Sequence, residues 1–151
     1  MRSIFQALAV ASAAMMVGAV GAPEADNDNG QLVGRWACTG QNRGMAFVSH
    51  FDYRPDGSYI SNQQITFSPG NMIEGGGGGF WRLNGDVLTD TKTEGRLDRF
   101  IRNGVVVPEG DPEYQQVAAG ARANLGATTQ GRITLNGDRL TVGFYSCERQ
   151  R

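Results

Sequence analysis

Histidine occurs once in this 151-residue chain, at His50, and cysteine only twice, at Cys38 and Cys147. A zinc centre built from His and Cys is therefore excluded, because it needs three or four such ligands. A catalytic histidine would need a nucleophile and an orienting acid within reach. No G-x-S-x-G motif accompanies His50, which alternates with Val48 and Asp52 on the outer face of its segment and reads as a surface residue. Neither sign of charge dominates: 14 Lys+Arg stand against 15 Asp+Glu, a formal net charge of −1. Proteins that grip nucleic acid carry a clear basic excess, so nucleic acid is not expected as a partner. At 40% hydrophobic and 19% charged, the composition fits one globular domain and argues against a disordered chain.

Other chemistry is equally thin. Asp26-Asn27-Asp28-Asn29-Gly30 has the composition of the opening of a calcium loop but lacks its distal glutamate, so it reads as solvated linker. Gly75–Gly79 is an uninterrupted glycine run, yet a phosphate cradle requires a following lysine and helix N-terminus. Here Phe80-Trp81 and a strand follow. Arg96, Arg99 and Arg102 are interleaved with Glu94 and Asp98, the pattern of a solvated edge. No metal, no cofactor and no catalytic residue is expected.

The N-terminal segment reads as an address. Met1-Arg2-Ser3 is a short positive start, Ile4 to Val20 is apolar and small, and the chain turns polar after Pro23. This is the pattern of a secretory signal peptide over 1–22, cut between Gly21 and Ala25, with a retained anchor as the alternative. Loss of Arg2 would leave 13 basic against 15 acidic residues, a net charge of −2. The chain is then expected to be exported, periplasmic or secreted, with no membrane span after cleavage. Residues 23–31 read as a flexible leader and 32–151 as one domain.

That domain is written in short β-favouring runs. Strands are expected over 32–39, 46–53, 58–67, 79–83, 86–94, 97–102, 131–135 and 139–148, eight in all. Pro55-Asp56-Gly57 suits a three-residue hairpin loop, which sets Tyr53 opposite Tyr59. Leu83-Asn84-Gly85-Asp86 recurs as Leu135-Asn136-Gly137-Asp138, one hairpin grammar used twice. Two-residue Asn-Gly loops would pair Trp81 with Leu88 and Ile133 with Leu140. Asp111-Pro112-Glu113 opens a short helix with Tyr114, Val117, Ala118, Ala121 and Leu125 on one stripe, ended by Gly126. Ser68–Gly79 reads as a mobile, glycine-rich flap whose Met72-Ile73 tip covers the mouth of the fold when a ligand or partner is present.

The two cysteines lie in the first and last strands. In an exported chain they are expected to form one disulfide, which brings the terminal strands side by side and closes the sheet. Antiparallel register then sets Trp36 opposite Arg149, a guanidinium over an indole face. Gly34-Arg35-Trp36 is similar to the G-x-W start of the lipocalin or calycin superfamily. In that family an arginine from the far end of the barrel packs on this tryptophan and a helix precedes the last strand; Arg149 matches the arginine. The strand count and the joined ends, with which the resemblance agrees, lead us to expect an all-β, eight-stranded antiparallel up-and-down barrel, lipocalin-like, with one short helix before the last hairpin. One conflict stays open at this level. The alternation Leu140, Val142, Phe144 places Cys147 and Arg149 on the other face, so either a bulge near Gly143 switches the face or the bond lies outside.

Phe47, Phe51, Tyr53, Tyr59, Phe67, Trp81 and Leu83 are expected inward, with Ser49, Ser61 and Gln63 sharing their face. Eight strands enclose an interior that is either filled or able to hold one small ligand. Phe47, Phe51, Tyr53, Tyr59, Gln63 and Trp81 are the candidate ligand-binding residues. The expected function is non-catalytic binding of a small hydrophobic or amphipathic ligand. The alternative is an envelope protein-binding module, such as a hydrolase inhibitor, with the glycine-rich loop and Phe80-Trp81 as its contact.

Overall fold

A computed structural model describes residues 28–151. The expected signal peptide and most of the leader lie outside the described residues. The last part of the leader is not extended: α1 (Asp28–Leu32) is a single helical turn, so Leu32, expected to open the first strand, is a fully buried helix end instead.

The described chain is an antiparallel all-β sheet of nine strands with one longer helix. The strands are β1 (Gly34–Asn42), β2 (Met45–Tyr53), β3 (Ser58–Ser68), β4 (Asn71–Asn84), β5 (Val87–Arg102), β6 (Val105–Val106), β7 (Thr128–Asn136), β8 (Arg139–Val142) and β9 (Tyr145–Gln150). Their order is β4-β3-β2-β1-β9-β8-β7-β5-β6, and β4 also pairs with β5, so the sheet closes into a ring with β6 outside it. Helix α2 (Pro112–Arg122) joins β6 to β7 and precedes three strands, not a single hairpin. The Asp111 carboxylate accepts from the Glu113 N–H and Pro112 takes the first turn, the capping arrangement read from sequence.

Three departures from the expected strands share one cause, the behaviour of glycine. The two segments 86–94 and 97–102 are one continuous β5. The supposed last strand is two, because Gly143 (φ 56°) and Phe144 form a hairpin turn between β8 and β9. That reversal settles the face conflict: Cys147 pairs with Leu140 and with Cys38, and all three are buried. Both Asn-Gly hairpins are shifted by one residue, pairing Leu83 with Leu88 and Leu135 with Leu140. In each, the glycine (Gly85 or Gly137, φ 59°) is the first loop residue and the aspartate the second, so asparagine stays in the strand.

The largest departure is the flap. Residues 71–79 form the first two-thirds of β4, paired to β3 on one edge and β5 on the other. A β-carbon at any of Gly75, Gly76, Gly77, Gly78 or Gly79 would stand under 3.0 Å from a main-chain oxygen of a neighbouring strand. The run is therefore glycine because β4 coils tightly between its neighbours, with register shifts at Glu74/Gly75 and Gly78/Gly79. Phe67, expected inward, is skipped by the β3–β4 ladder at a register shift and is 37% exposed.

The ends of the chain meet as expected. Cys38 and Cys147 are disulfide-bonded, directly opposed with α-carbons 3.9 Å apart. Trp36 is fully buried, donates from Nε1 to the Leu32 carbonyl at 2.9 Å, and carries the Arg149 guanidinium 4.3 Å from its ring centroid. Arg149 also donates to the carbonyls of Val33 and Gln31 and meets Asp138. Gly34 (φ 131°) makes room for it, since a β-carbon there would stand 2.7 Å from Arg149 Nη1. One end of the ring is thus filled by Leu32, Trp36, Tyr53, Tyr59, Trp81, Leu83, Leu88, Ile133, Leu140 and the disulfide. A second cluster, Phe100, Val107, Tyr114 and Ala118, seats α2 on β5.

Candidate functional site

Between these two clusters lies a cavity of about 550 Å³. Strand alternation builds one wall: Tyr59, Ser61, Gln63 and Ile65 project inward from β3 as the period of two requires. Phe51 from β2 and Ile73 from β4 extend it, and Gly75–Gly78 contribute bare backbone. Strand β5 supplies Lys92, Arg96 and Leu97, and α2 covers the space with Val117, Gly120 and Ala121.

Of the six sequence candidates, Phe51, Tyr59 and Gln63 line this cavity. The other three belong to closed packing. Tyr53 and Trp81 meet edge to face at 5.5 Å in the filled end, with the Trp81 indole donating to the Ser58 carbonyl at 3.0 Å. Phe47 packs on Phe144 at 4.8 Å and on Tyr145 at 6.0 Å. Sequence reasoning missed Ile73, Lys92, Leu97 and Val117. Ile65 is visible in the β3 alternation, whereas the sequence places Ile73 at the tip of a flap and gives Lys92 no signal beyond that of a strand.

The cavity's polar groups are ordered. Gln63 Nε2 donates to Tyr145 Oη at 2.5 Å and to Ser49 Oγ at 3.2 Å, and Ser49 is fully buried. Ser61 Oγ reaches the Gly77 carbonyl at 3.5 Å. Lys92 Nζ donates to the Ala121 carbonyl at 2.9 Å, tying β5 to the last turn of α2. Burial, with Asp90 nearby, pushes the Tyr59 phenol up to about 12. Burial also raises Tyr145, against the opposing effect of its bonds to Ser49 and Gln63. Both hydroxyls are neutral donors or acceptors at physiological pH.

His50 is exposed on β2. Arg96, Arg99 and Arg102 are each ion-paired, to Asp98, Glu74 and Glu113. Among the described residues no cluster of three His, Cys, Asp or Glu could hold a metal, and no helix is long and apolar enough to cross a membrane. The proposed glycine-loop contact has no loop to form it: the glycines are in the sheet and Trp81 is buried, while Phe80 is 60% exposed. No family model matches the chain, and no curated protein matches it.

Proposed function

We propose that the chain is an exported, lipocalin-like barrel that holds a small apolar or amphipathic molecule in its interior and does not transform it. The cavity carries this reading. Its volume, about 550 Å³, falls inside the roughly 300–1,000 Å³ of small-molecule sites, which are mostly apolar with a few placed polar groups. Phe51, Ile65, Ile73, Leu97 and Val117 supply the first property; Ser61, Gln63 and Lys92 supply the second. The eight ring strands and the Gly34-Arg35-Trp36 start with Arg149 on the indole support the lipocalin-like part. Export rests on the N-terminal reading, with which the Cys38–Cys147 disulfide is compatible.

The test is titration with the neutral fluorophore N-phenyl-1-naphthylamine. Saturable binding of one probe per chain is expected, and Val117→Trp, which fills the space beneath α2, should abolish it while circular dichroism is unchanged. Absence of saturable binding to the folded protein, or equal binding by Val117→Trp, would refute the reading.

A further inference from the structure

We infer that the chain docks on an anionic phospholipid surface through the end of the ring opposite its filled end. Phe67, Val105 and Phe144 enter the lipid interface there, and Arg43 meets the head groups. The inference does not depend on what the cavity holds. Antiparallel order sorts the turns into two sets. The β2–β3, β4–β5 and β7–β8 turns lie at the filled end, and the β1–β2, β3–β4, β5–β6 and β8–β9 turns lie at the other. Each turn of the first set carries an aspartate (Asp56, Asp86 or Asp138) and no exposed Phe, Val, Leu or Ile. No turn of the second set carries an acid: their loops are Arg43-Gly44, Pro69-Gly70, Asn103-Gly104 and Gly143-Phe144. Phe67, Val105 and Val106 flank these loops and Phe144 is part of one, Val105 being 68% and Phe144 41% exposed. Single exposed apolar side chains are ordinary. Here they come from strands far apart in sequence and collect at the end from which the turn acids are missing.

These side chains are also held in place. Gly104 N donates to the Gly70 carbonyl at 2.8 Å and Asn103 N to Asn71 Oδ1 at 2.9 Å, which fastens the β5–β6 turn to the β3–β4 turn beside Phe67. Phe144 leans on Phe47 at 4.8 Å. Docking then has little left to order. The cation stands against the backbone preference. Arg43 (φ 50°) and Gly44 (φ 80°) form the same two-residue turn as Asn103 (φ 52°) and Gly104 (φ 79°), in which asparagine is the usual first residue. Arg43 is in no ion pair among the described residues, whereas Glu74, Asp98 and Glu113 pair with Arg99, Arg96 and Arg102, and Asp111 caps α2. Glu109, between β6 and α2, is the acid left without an ion pair on this side. Apolar insertion therefore supplies most of the binding, and Arg43 sets the lipid preference.

The test is co-sedimentation with vesicles of phosphatidylglycerol and, separately, of phosphatidylcholine. It uses the chain as its host processes it, with removal of residues 4–20 confirmed by mass because that apolar run would itself bind lipid. Phosphatidylglycerol should be preferred about fivefold, the effect of one cation at an anionic surface, and Arg43→Gln should remove the preference. Phe67→Ser with Val105→Ser should weaken binding to both vesicles by about tenfold or more. Phe80→Ser is the control: it removes an exposed ring from the outer face of β4, away from these turns, and should change nothing. Circular dichroism should be unchanged in every variant, since each replaced side chain is exposed. No sedimentation of the wild type, full binding by the Phe67→Ser, Val105→Ser protein, or an equal loss in Phe80→Ser would overturn the inference. So would a preference that Arg43→Gln leaves intact. A wild-type dimer in sedimentation velocity that Phe67→Ser with Val105→Ser dissociates, without vesicle binding, would assign this end to a second copy and overturn it too. The cavity reading survives each of these results.

Discussion

Gly77→Ala tests the placement of the glycine run, because two readings of the same residues predict opposite signs. In a loose loop, alanine would restrict the unfolded chain more than the folded one and stabilise by about 0.4–1 kcal/mol. In β4, Gly77 is buried, paired to Ser61 and Gly95, and its added β-carbon would press on the Glu94 main-chain oxygen and stand 3.3 Å from Lys92 Cε. A side-chain tip could swing away; a carbonyl in a paired strand cannot, so the β4–β5 ladder must part. Overpacking of this kind costs about 1–3 kcal/mol, which outweighs the gain through the unfolded state. The expected net is a loss of about 1–2 kcal/mol, a fall in Tm of roughly 3–6 °C at this chain length. Gly131→Ala is the control: it lies in β7 with nothing within 4 Å of its added β-carbon, and φ there is not positive. It should stabilise by about 0.5 kcal/mol. Urea unfolding followed by tryptophan fluorescence reads both variants. A Gly77→Ala protein as stable as the wild type, or more stable, would refute the packed-strand account.

Removing the disulfide by Cys38→Ala with Cys147→Ala frees a loop of sequence separation 109. It should cost about 4–5 kcal/mol in the chain-entropy account, seen as a lower urea midpoint; a loss under 1 kcal/mol would argue against ring closure by this bond. Arg149→Ala removes the stacking on Trp36 and the bonds to Val33 and Gln31, and should destabilise by about 2–4 kcal/mol. Trp36 emission should shift with it; unchanged stability and emission would count against the contact. Tyr59 is raised from 10.0 to about 12 by burial, then by Asp90, so the folded protein favours the neutral phenol. Its contribution is fully present below pH 10 and is lost as pH rises toward 12, with the likewise raised Tyr53 acting in the same direction. Urea midpoints and tyrosinate absorbance should change together across that window, and flat stability through it would refute the assignment.

Much of this molecule is legible one strand at a time. Side chains alternate with a period of two, so the runs around Phe47–Tyr53 and Tyr59–Ile65 declare their inner face without any partner, and Gly57 (φ 81°) sets the Tyr53–Tyr59 register locally. The capping residues of α2 act within one turn. Cys38 and Cys147 carry long-range information because a covalent bond leaves one register, and that register places Arg149 on Trp36. Glycine defeats the same method. Without side chains, Gly75–Gly79 has no alternation to read, and its place in β4 follows from how closely β3 and β5 approach it. Gly143 likewise reads as a kink or a bulge until β9 is seen to fold back on β8. The cavity is the most non-local feature of all. Lys92 and Ala121 are 29 residues apart, and only the seating of Tyr114 and Ala118 beside Phe100 brings the end of α2 over the strand that carries the lysine. Local chemistry determined which faces are apolar; packing between distant segments decided which part of the interior is filled and which is left open.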